Sequence, residues 1–230
     1  MATASYLARR GQLEAYFDRT AAAAWARLTS DAPVSGIRAT VRAGRDRMRA
    51  TLLSLLPQDL HGRRLLDAGC GTGALAVEAA RRGAEVVAID LSPTLVGVAR
   101  DRMPAGLQID WRAGDMTDPA LGRFDHVVGM DSLIHYRAPD MARVAAQLAA
   151  LADTSVLFTF APRTPLLTVM HAAGRLFPRG DRAPAIEPIT HGHLTRLMAA
   201  DPAMAAWRPA RTRRVAGGFY ISQAIEMVRP

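Results

Sequence analysis

The stretch Arg64-Leu-Leu-Asp-Ala-Gly-Cys-Gly-Thr-Gly-Ala-Leu-Ala76 constrains this chain more than any other. A short apolar run, Leu65-Leu66, leads into Asp67. Glycines follow at 69, 71 and 73, and an apolar helical pattern begins at Ala74. Strand, glycine turn and helix in this order open a doubly wound α/β domain. A side chain at these glycines would keep a ligand off the backbone, and the helix behind them offers unpaired N–H groups. Two ligand classes use such a turn. Gly69, Gly71 and Ala74 satisfy the dinucleotide pattern G-x-G-x-x-G/A, which keeps a nicotinamide enzyme open. Asp67, however, would repel a pyrophosphate and is placed to hold a cationic amine, which favours S-adenosylmethionine (SAM).

The alternate-glycine form from Asp67 to Gly73 resembles motif I of class I SAM-dependent methyltransferases. Two further acids follow at matching places. Glu85-Val-Val-Ala-Ile-Asp90 reads as a buried strand, and a carboxylate at its tip can accept both ribose hydroxyls, in a dinucleotide or in SAM. Leu107 to Ala113 alternates as a third strand and runs into Gly114-Asp115-Met116. In SAM enzymes an acid at this place accepts the adenine amino group, and the next backbone N–H, here that of Met116, reaches the ring. Asp67, Asp90 and Asp115 after three successive strands form a more specific signal than any one of them. Leu91, beside Asp90, and Met130, closing the fourth strand, complete the expected cofactor residues. Cys70 reads as small-residue filler in the turn; as the only cysteine it excludes an internal disulfide and fits a reducing cytoplasm.

The remaining pattern extends the same architecture. Residues 5–28 read as helix broken near Thr20, with Leu7, Leu13, Tyr16 and Phe17 as an apolar stripe. Residues 37–56 read as one helix, buried at Ile37, Val41, Met48 and Leu52. Arg38, Arg42, Arg45 and Arg49 form a stripe along it, either a solvated face or an anion-facing wall. Helices follow at 74–82, 93–103, 140–151 and 191–200, and strands at 124–130 and 155–161. Ser92 and Pro93 suit the N-cap and first position of the second of these helices. The 124–130 strand carries His126, read as structural, and ends in the loop Asp131 to Tyr136, where doubly wound folds place chemistry. Residues 162–189, punctuated by prolines and carrying a short helix near 166–176, read as a lid over a second substrate. A hairpin across Gly217-Gly218 joins strands 207–215 and 219–228. The expected division is a helical N-terminal cap, 1–62, and a cofactor-binding domain, 63–230.

Charge separates these parts. All 29 basic residues are arginine, as in proteins of GC-rich bacterial genomes. Residues 1–64 carry 11 Arg against 5 acids, residues 65–161 carry 8 against 12, and residues 162–230 carry 10 against 4. An acidic core suits a cationic cofactor, and basic flanks point to an anionic second substrate, nucleic acid or a membrane surface. The first ten residues lack a signal-peptide core, and no apolar run approaches the ~20 residues that span a bilayer.

Beyond the glycine motif, several pieces together resemble the magnesium protoporphyrin IX O-methyltransferase family. They are Tyr16-Phe17-Asp18 with Trp25 and Arg27, Thr40 to Arg45, Asp131-Ser-Leu-Ile-His-Tyr136, Thr159 to Pro165, and Gly218-Phe-Tyr-Ile-Ser222. The resemblance implies a Rossmann-like sheet of seven strands, mostly parallel, in the order 3-2-1-4-5-7-6. It implies methyl transfer from SAM to one propionate of Mg-protoporphyrin IX in bacteriochlorophyll or chlorophyll synthesis, leaving S-adenosylhomocysteine. Magnesium enters only with the porphyrin, and no protein metal site is implied. His135 is the residue expected to orient the substrate, by a hydrogen bond to the propionate or as an axial magnesium ligand. Tyr16, on a helix that closes over the site, comes second. A magnesium chelatase subunit is an expected partner, nucleic acid is not, and a cytoplasmic protein peripheral to the photosynthetic membrane is the expected setting. Two other readings stay open: a methyltransferase of RNA or protein using the basic flanks, and a SAM- or porphyrin-binding protein without catalysis.

Overall fold

The computed structural model describes residues 3–30, 33–34, 36–163 and 185–229. Its centre is a sheet of seven strands: β1 (Arg64–Ala68), β2 (Glu85–Asp90), β3 (Ile109–Ala113), β4 (Phe124–Gly129), β5 (Ala152–Phe160), β6 (Arg208–Gly217) and β7 (Tyr220–Val228). They lie in the order β3-β2-β1-β4-β5-β7-β6. The first five pair in parallel; β7 runs antiparallel to both β5 and β6. The inner strands are short and apolar because both faces of the sheet are covered, as a parallel sheet requires. The seven-stranded order is the one implied by the family resemblance.

Helices α4 (Ala74–Arg81) and α5 (Pro93–Asp101) follow β1 and β2, and α6 (Ala138–Leu151) precedes β5. Ser92 caps α5, accepting from Leu95 N at 3.1 Å, with Pro93 at the first helical position. Helix α7 (His191–Ala199) packs on α6. Helix α3 (Ile37–Leu55) lies against the β6–β7 end of the sheet and buries Met48, Leu52, Leu53 and Leu55. Each fully buried side chain of this size contributes about 1.5–3 kcal/mol. Ile37, expected inside, is 55% exposed, and the fully buried residues of the helix begin at Gly44. At Gly44 a Cβ would come within 2.5 Å of the Tyr220 ring, so this helix glycine marks a close approach.

The N-terminal segment forms α1 (Ala4–Ala15), a π-helical turn (Tyr16–Thr20) and α2 (Ala22–Leu28), broken near Thr20 as expected. The buried side of α1 is Tyr6 and Leu13; Leu7 faces solvent at 46% exposure. Hydropathy alone placed Leu7 on the stripe, whereas the Tyr6 hydroxyl has a polar partner inside, Asp115. The hairpin turn is Gly218-Phe219 rather than Gly217-Gly218: Gly218 supplies the positive φ, +56°, and Gly217 stays in β6. The expected helix near 166–176 and most of the expected lid lie outside the described residues. No helix among the described residues is long and apolar enough to cross a membrane.

Candidate active site

A cavity of about 390 Å³ opens at the carboxyl ends of β1, β2, β3 and β4. Gly69, Gly71, Asp90, Leu91, Asp115, Met116 and Met130 all line it, together with Tyr16 and His135. The structure thus brings the expected cofactor residues beside the residues expected to handle the acceptor. Asp67, Cys70 and Thr72 border a smaller cavity of about 250 Å³ that shares Gly69, Gly71 and Met130, among others, with the first, and Gly73 lines neither.

The glycine turn is shaped by what it must clear. Gly69, Gly71 and Gly73 have φ of +84°, +54° and +80°. A Cβ on Gly69 would meet Ser132 at 2.4 Å, and one on Gly73 the Trp111 ring at 2.3 Å. Gly71 has open space where its Cβ would be, on the cavity wall. Asp90 accepts from Gly71 N (2.8 Å) and Ser92 N (2.9 Å), so the turn and the second strand end are tied together. Burial pushes the Asp90 carboxyl upward, against these backbone donors. Asp67 is buried and accepts from Ala76 N in the first turn of α4 at 3.1 Å. Burial, with a smaller contribution from Asp90, pushes its pKa up to about 7. A carboxyl so poised gains its charge when a cation arrives beside it.

Asp115 is handled differently. Oδ1 accepts from Tyr6 Oη (2.8 Å) and from Thr117 N and Oγ1, and Oδ2 accepts from Arg10 Nη1 (2.7 Å). Burial raises its pKa, but these bonds outweigh burial and hold the carboxyl below the usual range. Helix α1 is therefore pinned to the third of the expected cofactor acids. It is also pinned to Glu187 by Arg9 (3.2 Å) and to Asp140 by Thr3 (2.7 Å). Asp18, in the π-helical turn, accepts from Ser92 Oγ and Thr94 N, each at 3.0 Å. These contacts place Phe17 over His135, ring centroids 5.7 Å apart, and Tyr6 in a stack on Tyr136. His135 Nδ1 lies 3.3 Å from the carbonyl of Ala185. A carbonyl only accepts, so Nδ1 carries the hydrogen and Nε2 is the basic nitrogen in the neutral ring. His126 stays in the sheet, paired with Ser155 Oγ at 2.8 Å and away from the cavity.

Sequence reasoning gave no role to Asp131. It is the only non-glycine residue with positive φ (+53°) among the described residues. Its carboxylate gathers Arg45 Nη1 (2.6 Å), Tyr220 Oη (3.0 Å to the nearer oxygen), Thr159 Oγ1 (3.1 Å) and Ser222 Oγ (3.2 Å). The signal was present in the motifs, since three segments singled out for resemblance meet at this one acid. Of the arginine stripe, Arg45 lines both cavities, Arg42 and Arg49 line the smaller, and Arg38 faces solvent. Among the described residues, no group of His, Cys, Asp and Glu could hold a metal ion.

Residues 65–154 match a model of a methyltransferase domain, and residues 129–229 match that of the magnesium-protoporphyrin IX methyltransferase C-terminus. Magnesium-protoporphyrin O-methyltransferase of Rhodobacter capsulatus is 51% identical over 96% of this chain and 97% of its own length. The chain belongs to the magnesium-protoporphyrin O-methyltransferase family. The Synechocystis member is 30% identical over 93% of this chain and 94% of its own. A crystal structure of the Synechocystis magnesium protoporphyrin IX methyltransferase with bound S-adenosylhomocysteine superposes with a TM-score of 0.81. It is 28% identical and covers 96% of this chain and 100% of that one. Membership in this methyltransferase family sets aside the nicotinamide reading of the glycine turn.

Proposed function

We propose that the protein transfers the methyl group of SAM to a propionate carboxylate of Mg-protoporphyrin IX, giving the monomethyl ester. The observation that carries this reading is the single cavity in which Gly69, Gly71, Asp90 and Asp115 stand beside His135 and an apolar wall of Phe17, Trp25 and Ile186. The donor set fits the cofactor: glycines that expose backbone, a carboxylate at the second strand end for the ribose, and a poised buried acid for a cation. Bound there, SAM supplies an electrophilic methyl on a positively charged sulfur.

The chain's own residues then have limited work. The acceptor carboxylate is ionised at neutral pH, with a reference pKa of about 4.3, so no general base is needed. What the protein must do is align one carboxylate oxygen with the methyl group and exclude water. Phe17 and Trp25, brought in by the N-terminal segment, close the apolar side of the cavity. Tyr16 stands on the same segment and orients the acceptor. His135 holds the porphyrin, at its magnesium when the ring is neutral. A protonated ring would instead donate to the propionate. The exposed arginines of edge strand β6 (Arg208, Arg213) support docking onto an anionic surface, that of a membrane or of the partner that delivers the porphyrin.

Binding tests the substrate class. With S-adenosylhomocysteine present, Mg-protoporphyrin should stay bound through high salt, because the cavity wall is largely apolar. RNA bound through the basic flanks would dissociate steeply with salt. Failure to take up the porphyrin, with salt-sensitive RNA binding instead, would overturn the reading.

A further inference from the structure

Among the described residues lining the larger cavity, Arg45 is the one arginine, against Asp90, Asp115 and Asp131. A carboxylate entering this wall meets three acids and one guanidinium. The other nearby arginines are committed elsewhere. Arg42 donates to the carbonyls of Arg27 and Leu28, Arg49 pairs with Asp46, and Arg10 pairs with Asp115. Arg45 is held on two sides. Asp131 takes one Nη1–H at 2.6 Å, and the guanidinium carbon lies 4.9 Å from the centroid of the Trp25 ring. A guanidinium has more donors than one such bond uses, in a rigid planar fork.

Asp131 is spent in holding it. Tyr220, Ser222 and Thr159 donate to one oxygen and Arg45 and Tyr220 to the other, so the carboxylate is taken up by protein donors. Its backbone sits in the left-handed region, a conformation that persists only where the surroundings enforce it. Four side chains and a strained backbone thus serve to fix one arginine on the cavity wall, beside the cofactor turn that Ser132 packs against.

We propose that Arg45 binds the acceptor's carboxylate, and that Asp131 is the positioning residue that presents it. The inference rests on the proposed function. It assigns the carboxylate-recognising group of that site. One guanidinium edge can engage one carboxylate oxygen and leave the other to face the methyl group, which is orientation rather than activation. A methyl ester carries no charge for Arg45 to recognise, so the product is bound less tightly at this point than the acid.

The test is a titration of wild type, Arg45→Gln and Arg45→Lys with Mg-protoporphyrin IX and with its dimethyl ester, each with S-adenosylhomocysteine present, and with S-adenosylhomocysteine alone. The readout is the preference for diacid over diester. Arg45→Gln should cut it by roughly ten- to a hundredfold, the range of a charge-assisted hydrogen bond, with S-adenosylhomocysteine affinity within about twofold of wild type. Arg45→Lys keeps the charge and the pairing with Asp131, so it covers the case in which the glutamine variant fails to fold. Its preference should also fall, because a point charge cannot span Asp131 and a second carboxylate as a fork does. An undiminished preference in a folded variant would overturn the inference. So would an equal loss for diacid and diester, or a loss confined to S-adenosylhomocysteine, which would assign Arg45 to the cofactor's own carboxylate. A wild type that binds neither porphyrin would overturn the proposed function itself, and the inference with it.

Discussion

Asp67, expected beside the cofactor's cationic amine, should make cofactor binding sensitive to pH. Its folded pKa of about 7 lies above the unfolded value, so the folded state holds a proton through mildly acidic pH. Ionising it in the empty site therefore lowers stability as pH rises from about 4 to 7. A cationic ligand prefers the ionised form, so SAM affinity should rise as pH climbs through 7 and then level off. Calorimetry in two buffers of different ionisation enthalpy should detect proton release on binding near pH 6.5 and none in Asp67→Asn. Asp90, expected on the ribose hydroxyls, should act by hydrogen bonding. Asp90→Ala should weaken SAM binding by roughly 1.5–3 kcal/mol, and unchanged affinity in a folded variant would remove it from the site. His135→Ala should leave SAM affinity nearly intact and lower kcat tenfold or more, about 1.4 kcal/mol of transition-state stabilisation. A folded His135→Ala enzyme with wild-type kcat and porphyrin affinity would remove that role.

Helix α1 and the turn after it behave as a strap from Asp115 to the start of α5. Tyr6 and Arg10 on Asp115, Arg9 on Glu187 and Asp18 on the start of α5 attach it at separate points. Because the Asp115 carboxyl is held below its usual pKa, the contribution of this attachment is present above about pH 4 and is lost only as pH falls further. Tyr6→Phe removes one donor to a charged acceptor, worth roughly 1.5–3 kcal/mol, and should speed amide exchange along residues 4–15 at neutral pH. Equal exchange in the two proteins would mean that the other attachments suffice. The strap's helices were legible in the sequence from apolar spacing. Its attachments were not, because a hydroxyl at Tyr6 and a guanidinium at Arg10 acquire a purpose only when β3 delivers Asp115 opposite them.

The sheet, its strand ends and the placement of Asp67, Asp90 and Asp115 at those ends were readable because each rests on local rules: apolar strands, a glycine turn with an acid before it, a cap at Ser92. The meeting of α3, β4, β5 and β7 at Asp131 was not. It joins residues as far apart as Arg45 and Ser222 through the fold alone, and the helix glycine at 44 showed no local reason until Tyr220 lay on it. What this architecture does as a whole is most directly tested by turnover with SAM labelled in its methyl group. Incubation with Mg-protoporphyrin should place one label per porphyrin, released by base as expected of a carboxyl ester, with S-adenosylhomocysteine formed in equal amount. A label appearing in RNA or protein instead, a base-stable product, or no transfer from bound SAM would contradict methyl transfer to a porphyrin carboxylate.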